Sequence, residues 1–279
     1  MISDKINNID FNKIENDIYE LCEYIKADDY DGAREIVDEL ILACENVYTE
    51  DDNERYFCFD SPLHYYLYDY KLSPKKMIKR SKIDYRTLYL CSAHIYTAYE
   101  DYDKAEEELR KALYWNPVDF NVFSELLNLY LLLNDESKFL IVAKAMRAYI
   151  LNKEMLSLYL SKLGTYYLNK NDYPIAAALF YASEFNGTNI SSEEGINKII
   201  NITGQTPVAP EIEEVKEALK KDGLEYGLDT EILSLIYDLS FDLQNRNNKE
   251  GAKYCLEVLY ELTDDDKYQR EIEFLENNE

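Results

Sequence analysis

Two stretches of this chain repeat one pattern of large and small residues, and that pattern limits what the chain can fold into. From Arg86, Tyr89, Ala93, Tyr96, Ala105, Leu109, Ala112 and Pro117 fall at set intervals. From Ser157, Leu160, Leu163, Gly164, Tyr167, Ala176, Phe180 and Ser183 fall at the same intervals. Steps of three and four put each half on one face of a helix. Turn signals separate the halves: Glu100-Asp101-Tyr102-Asp103 in one stretch, Asn171-Asp172-Tyr173-Pro174 in the other. Each stretch is therefore read as two antiparallel helices. Small residues (Ala93 or Gly164, Ala105 or Ala176) let the backbones approach, and large ones fill the space beside them. Pro174 suits a first helical turn, where its missing N–H costs nothing. Asn116-Pro117 ends the second helix, because an X-Pro step disfavours helix at X. One hairpin cannot bury its apolar face alone and must stack on another.

The arrangement resembles the tetratricopeptide repeat, a helix pair of 34 residues. Each stretch matches seven of eight signature positions; Ser92 stands for a leucine in the first, and the terminal proline is missing from the second. The resemblance implies an all-α fold, a right-handed α-solenoid of stacked antiparallel hairpins. Weaker matches extend it. A middle frame from Phe120 has a good first helix (Phe123, Leu126, Tyr130) and an off-template second one, Ser137 to Tyr149. Tyr24, Tyr30, Ala33, Val37 and Leu40 match near the start, and Ile236, Leu239, Leu243, Ala252, Leu256 and Leu259 near the end. The expected organisation is one solenoid over 1–279. It comprises a degenerate hairpin at 10–47, an insertion at 48–85, repeats at 86–119, 120–156 and 157–190, an interruption at 191–228, a C-terminal repeat at 229–263 and an acidic capping helix at 264–279.

The insertion is the least generic segment. Tyr56, Phe57, Phe59, Tyr65, Tyr66, Tyr68 and Tyr70 precede a basic run containing Lys75, Lys76, Lys79 and Arg80. Two short helices are expected, Ser61 to Tyr70 and Pro74 to Lys82, with Ser73-Pro74 as N-cap and first position. No segment shows sustained strand alternation. In the interruption, Thr206 to Pro210 reads as extended and Glu211 to Lys221 as a polar helix ended by Gly223. Ile272, Phe274 and Leu275 suggest a terminal helix over the last hairpin.

Charge narrows the partners. Fifty-five acidic residues against 30 basic give a net charge of −25. Such a surface repels nucleic acid and anionic membranes and attracts a basic or polar peptide. It also keeps soluble proteins apart. The run Lys75, Lys76, Lys79, Arg80 would be the exception, as a contact for an acidic partner or a nucleic-acid backbone. The preferred reading is a solvated face balancing Glu50, Asp51, Asp52 and Glu54. No apolar stretch approaches the ~18 residues needed to span a bilayer, and the opening residues lack a targeting signal. Five scattered cysteines, odd in number and without paired spacing, fit reduced thiols and a cytoplasmic location. No zinc, phosphate-loop, dinucleotide or nucleophile-elbow motif occurs, so no enzyme, metal or cofactor is expected.

In the family, the first helix of each repeat lines a concave groove. The resemblance places Leu90, His94 and Thr97, then Asn121, Ser124 and Asn128, then Ser161, Thr165 and Asn169 on that face. Leu90, Ser124 and Ser161 stand where some family members use lysine to clamp a carboxylate, so that ligand is not expected. The implied function is a non-catalytic scaffold holding a peptide or protein partner in the groove. An acidic chaperone, or a peptide-sensing regulator, is the alternative.

Overall fold

A computed structural model describes residues 9–187 and 190–277; residues 1–8, where a targeting signal was sought, lie outside it. The fold is all-α in substance. Fourteen α-helices and one pair of short strands make up the regular structure of the described residues. Two compact units divide the chain, Met1–Leu129 and Tyr130–Glu279.

One turn recurs five times among the described residues. At each, a residue adopts left-handed backbone: Asp28 (φ 55), Glu100 (φ 60), Asn134 (φ 53), Asn171 (φ 61) and Asn247 (φ 60). The next N–H reaches back five residues: Asp29 to Tyr24 O, Asp101 to Tyr96 O, Asp135 to Tyr130 O, Asp172 to Tyr167 O and Asn248 to Leu243 O, at 2.8–3.0 Å. That closes the preceding helix as a Schellman motif. The same residue then starts the following helix, its side chain accepting from the N–H three residues on: Gly32, Lys104, Lys138, Ile175 or Gly251. One residue thus ends one helix and caps the next.

These turns join α1 (Phe11–Lys26) to α2 (Tyr30–Cys44), and α4 (Tyr85–Ala98) to α5 (Tyr102–Trp115). They likewise join α6 (Phe120–Leu133) to α7 (Glu136–Met146), α8 (Lys153–Asn169) to α9 (Tyr173–Asn186), and α12 (Thr230–Asn245) to α13 (Lys249–Thr263). α7 runs on into a 3-10 turn, Arg147–Tyr149. The pairs α1/α2, α4/α5, α8/α9 and α12/α13 show extensive mutual packing, and α4 also packs on α2. Glu100 alone among the five left-handed residues is neither Asn nor Asp, the types that tolerate that conformation. Glu100→Asn is expected to stabilise the chain by about 0.5–1 kcal/mol, checked by thermal unfolding.

In the C-terminal unit, small residues let helices meet. A Cβ on Gly164 of α8 would stand 2.6 Å from the Phe180 ring, and one on Gly195 of α10 (Ile190–Thr203) would stand 2.3 Å from it. The fully buried Phe180 is therefore held between two glycines. Beside it, Ser183 Oγ lies 3.0 Å from Ser157 Oγ, accepts from Ser192 Oγ at 2.8 Å and donates to Ser157 O at 2.7 Å, so the buried Ser183 hydroxyl is satisfied within the core. The stretch from Thr206 to Pro210 is irregular, as expected. α11 (Ile212–Lys221) follows, and Gly223 takes φ +74 beyond its end. Arg147 donates to the carbonyls of Gly227 (2.9 Å) and Leu228 (2.7 Å), tying the stretch before α12 to the 3-10 turn. α14 (Asp266–Asn277) covers α13 and buries Tyr268, Ile272 and Leu275.

The insertion corrects two expectations. Its helix is α3, Pro62–Leu72, capped by Ser61. The second expected helix, Pro74 to Lys82, is instead a strand. β1 (Glu54–Phe57) pairs in parallel with β2 (Met77–Arg80), Glu54 opposite Met77 and Phe57 opposite Arg80. Parallel strands need a crossover, and α3 supplies it. Ser73 is not an N-cap; it is the left-handed C-cap of α3 (φ 41). Pro74 follows a helix end, where a residue that cannot continue the helix is common. Rings hold the insertion together: Phe57 stacks on Phe59 (4.9 Å) and tilts against Tyr68 (4.6 Å). It is fastened to α5, because Cys58 N donates to Trp115 O (2.8 Å) and Arg55 to Tyr114 O (2.8 Å).

Candidate functional site

Spacing of four, three and four residues puts the expected binding residues on one face of their helices. On α4, Leu90, His94 and Thr97 are each half-buried, and the Thr97 hydroxyl donates to Ala93 O (2.9 Å). On α6, Asn121 is exposed, while the half-buried Asn128 donates to Glu125 (3.1 Å). Ser124 is buried and offers almost no surface. On α8, Asn169 is exposed and Thr165 half-buried, its hydroxyl donating to Ser161 O (3.1 Å). Ser161 is fully buried, so its side chain cannot reach a partner directly.

Asn169 borders a small pocket of about 150 Å³ in the C-terminal unit. Phe139 and Tyr166 form its stacked wall, with centroids 4.7 Å apart. Glu136, Tyr166 and Lys170 line its polar side. The Tyr166 hydroxyl donates to Glu136 (2.5 Å), and Lys170 bridges Glu136 (3.1 Å) and Asp222 (3.1 Å). The Tyr166 hydrogen bond, followed by Lys170, holds the Glu136 carboxyl below its usual range.

Part of the basic run is paired with carboxylates. Lys76 pairs with Glu50 (2.6 Å) and Lys79 with Glu54 (2.5 Å), while Lys75 and Arg80 are exposed. Two of the four cations are thus committed to the acidic neighbours named from the sequence.

A larger groove lies in the N-terminal unit, about 920 Å³. The inner side of α1 forms one wall through Phe11, Ile18 and Tyr19; Phe59 and the 80–84 stretch form the other. Lys82 Nζ sits 5.1 Å from the Phe11 ring, within cation–π reach. Sequence reasoning missed this groove because it is built by the insertion, which belongs to no repeat frame.

At the edge of that groove a charge cluster is packed into the fold. Arg86 donates to Asp60 (2.7 Å) and lies 3.4 Å from both Asp84 and Asp119. Asp119 is 1% exposed, and it also accepts from Val122 N at the start of α6 (3.0 Å) and from Asn116 (3.1 Å). Burial opposes the Arg86 charge, but Asp84, Asp119 and Asp60 together hold its pKa above the ordinary value. His64 lies nearby, buried, its Nδ1 without a protein partner.

Burial pulls the His64 pKa below its ordinary 6.5, with Asp60 opposing. A neutral His64 in the folded state means that stability is fully present above pH 6.5 and falls as the pH drops toward the folded-state value. Unfolding titrated between pH 6.5 and roughly 5 should show this slope. His64→Gln should flatten it.

No helix among the described residues is long and apolar enough to cross a membrane. No group of three or more His, Cys, Asp or Glu among them is placed to hold a metal ion. No family model matches the chain, and no curated protein matches it in sequence.

Proposed function

We propose that the chain is a non-catalytic interaction scaffold of the tetratricopeptide type, binding an extended or helical peptide segment of a partner on the inner face of α4, in the N-terminal unit. The observation that carries this reading is the recurrence of one hairpin turn five times, with the template residues Tyr24, Tyr96, Tyr130 and Tyr167 accepting at equivalent points. That repetition presents the α4 row of Leu90, His94 and Thr97 as half-open surface. The net charge of −25 favours a basic or polar partner segment. Amide and hydroxyl groups such as Asn121 and Thr97 would hydrogen-bond its backbone.

The test is peptide display against the full chain, with His94→Glu/Thr97→Arg as the counter-selected variant. Enrichment of a common basic or polar motif that binds wild type and loses at least about tenfold in affinity on the variant, about 1.4 kcal/mol, is expected. Peptides indifferent to the variant would contradict the reading.

A further inference from the structure

Cys22 lies on α1 and Cys91 on α4, 69 residues apart in sequence, with their sulfurs 3.8 Å apart. A disulfide requires about 2.05 Å, so the gap is within reach of side-chain rotation. The two thiols differ in access. Cys22 is half-buried and lines the groove between α1 and the insertion, whereas Cys91 is buried behind it. We propose that Cys22 and Cys91 form a thiol–disulfide exchange site: Cys22 is modified by a low-molecular-weight disulfide that enters the groove, and Cys91 resolves the adduct to leave a bridge between α1 and α4.

The chemistry balances. The Cys22 thiolate attacks one sulfur of the small disulfide, forming a mixed disulfide and expelling a thiolate, which takes up the proton that Cys22 gave to solvent. Cys91 then loses its proton and attacks the Cys22 sulfur. The bond to the small group breaks, and a second small thiol leaves. Two protein thiols are oxidised and one small disulfide is reduced to two thiols.

The surroundings favour Cys22 as the attacking group. The Cys91 hydrogen bond, with Lys26 on the same helix and Arg86 on α4, outweighs burial and the Asp84 charge, and brings the Cys22 pKa down to about 7. Cys91 is raised in turn by that same hydrogen bond and by burial. Burial also pushes up the remaining cysteines, Cys44 to about 11, Cys58 to about 12 and Cys255 to about 11, and none of them is exposed. A thiol of pKa near ambient pH is close to the optimum for exchange. The two residues share no motif spacing, so only the fold brings them together.

The experiment incubates the full folded chain with glutathione disulfide at neutral pH and follows intact mass, free thiols and linked peptides. The expected result is loss of two of the five thiols, a mass lower by two hydrogens and a Cys22–Cys91 linked peptide. Cys91→Ser should instead accumulate a glutathione adduct on Cys22, and Cys22→Ser should lose no thiol. The initial rate in wild type should be half-maximal near pH 7. A persistent adduct on Cys22 of wild type with Cys91 free would overturn the proposal. So would modification of Cys22 no faster than in the urea-unfolded chain, a comparison that needs no variant to fold.

Discussion

Arg86→Met is expected to destabilise the N-terminal unit by about 3 kcal/mol, because removing Arg86 strands the buried carboxylate of Asp119. Asp119 is 1% exposed and cannot regain water, and Asp60 loses its 2.7 Å hydrogen bond. The chain's single tryptophan is a local reporter, since Trp115 stacks on Tyr85 at 4.0 Å within the same unit. Denaturant unfolding followed by its fluorescence should shift strongly for Arg86→Met. The double variant Arg86→Met/Asp119→Asn should recover part of the loss, because the stranded charge is gone while a side-chain oxygen remains for Val122 N. A loss below about 1 kcal/mol would place this pair among weak surface bridges and contradict the burial argument.

The second large effect reverses an ordinary rule. Gly→Ala inside a helix normally stabilises by about 1 kcal/mol. At Gly195 the new methyl carbon would stand 2.3 Å from a Phe180 ring that Gly164 blocks from the other side. The ring is fully buried, so relief requires the helices to part. Gly195→Ala is expected to lose about 1–3 kcal/mol, and Gly195→Val more. Circular dichroism on thermal unfolding checks this. Adding Phe180→Leu to Gly195→Ala should recover part of the loss, since the smaller side chain makes room. A stabilised Gly195→Ala would show that the ring moves freely.

Much of the hairpin architecture was legible because it is local. Asp101 and Asp172 stand in turns read from the sequence, and their chemistry acts within five residues. Gly164 and Ala176 were readable as close-approach positions for the same reason, and α12 and α13 fall within a residue or so of their expected frame. α8 starts at Lys153, one turn before the Ser157 frame, because Asn152 caps it by accepting from Met155 N.

Long-range effects were not legible. β2 is made of Met77-Ile78-Lys79-Arg80, a sequence with little strand preference of its own. Its conformation comes from pairing with β1 and from ion pairs to Glu50 and Glu54, over 20 residues away. α10 belongs to no repeat frame, and Gly195 gains meaning only from the Phe180 ring above it. Ser124 and Ser161 sit at groove positions by frame, yet both are buried. A position in a repeat specifies a helix face, while neighbouring helices decide how much of that face stays open.

In the proposed scaffold the inner face of α4 holds a partner's peptide. Photocrosslinking tests it most directly. A photoreactive residue replaces His94 on α4 or, separately, Arg110 on the exposed side of α5, and the chain is irradiated with a display-selected peptide. The account predicts efficient capture from position 94 and little from position 110. Capture from position 110 alone would place the partner on the outer helices and contradict the account.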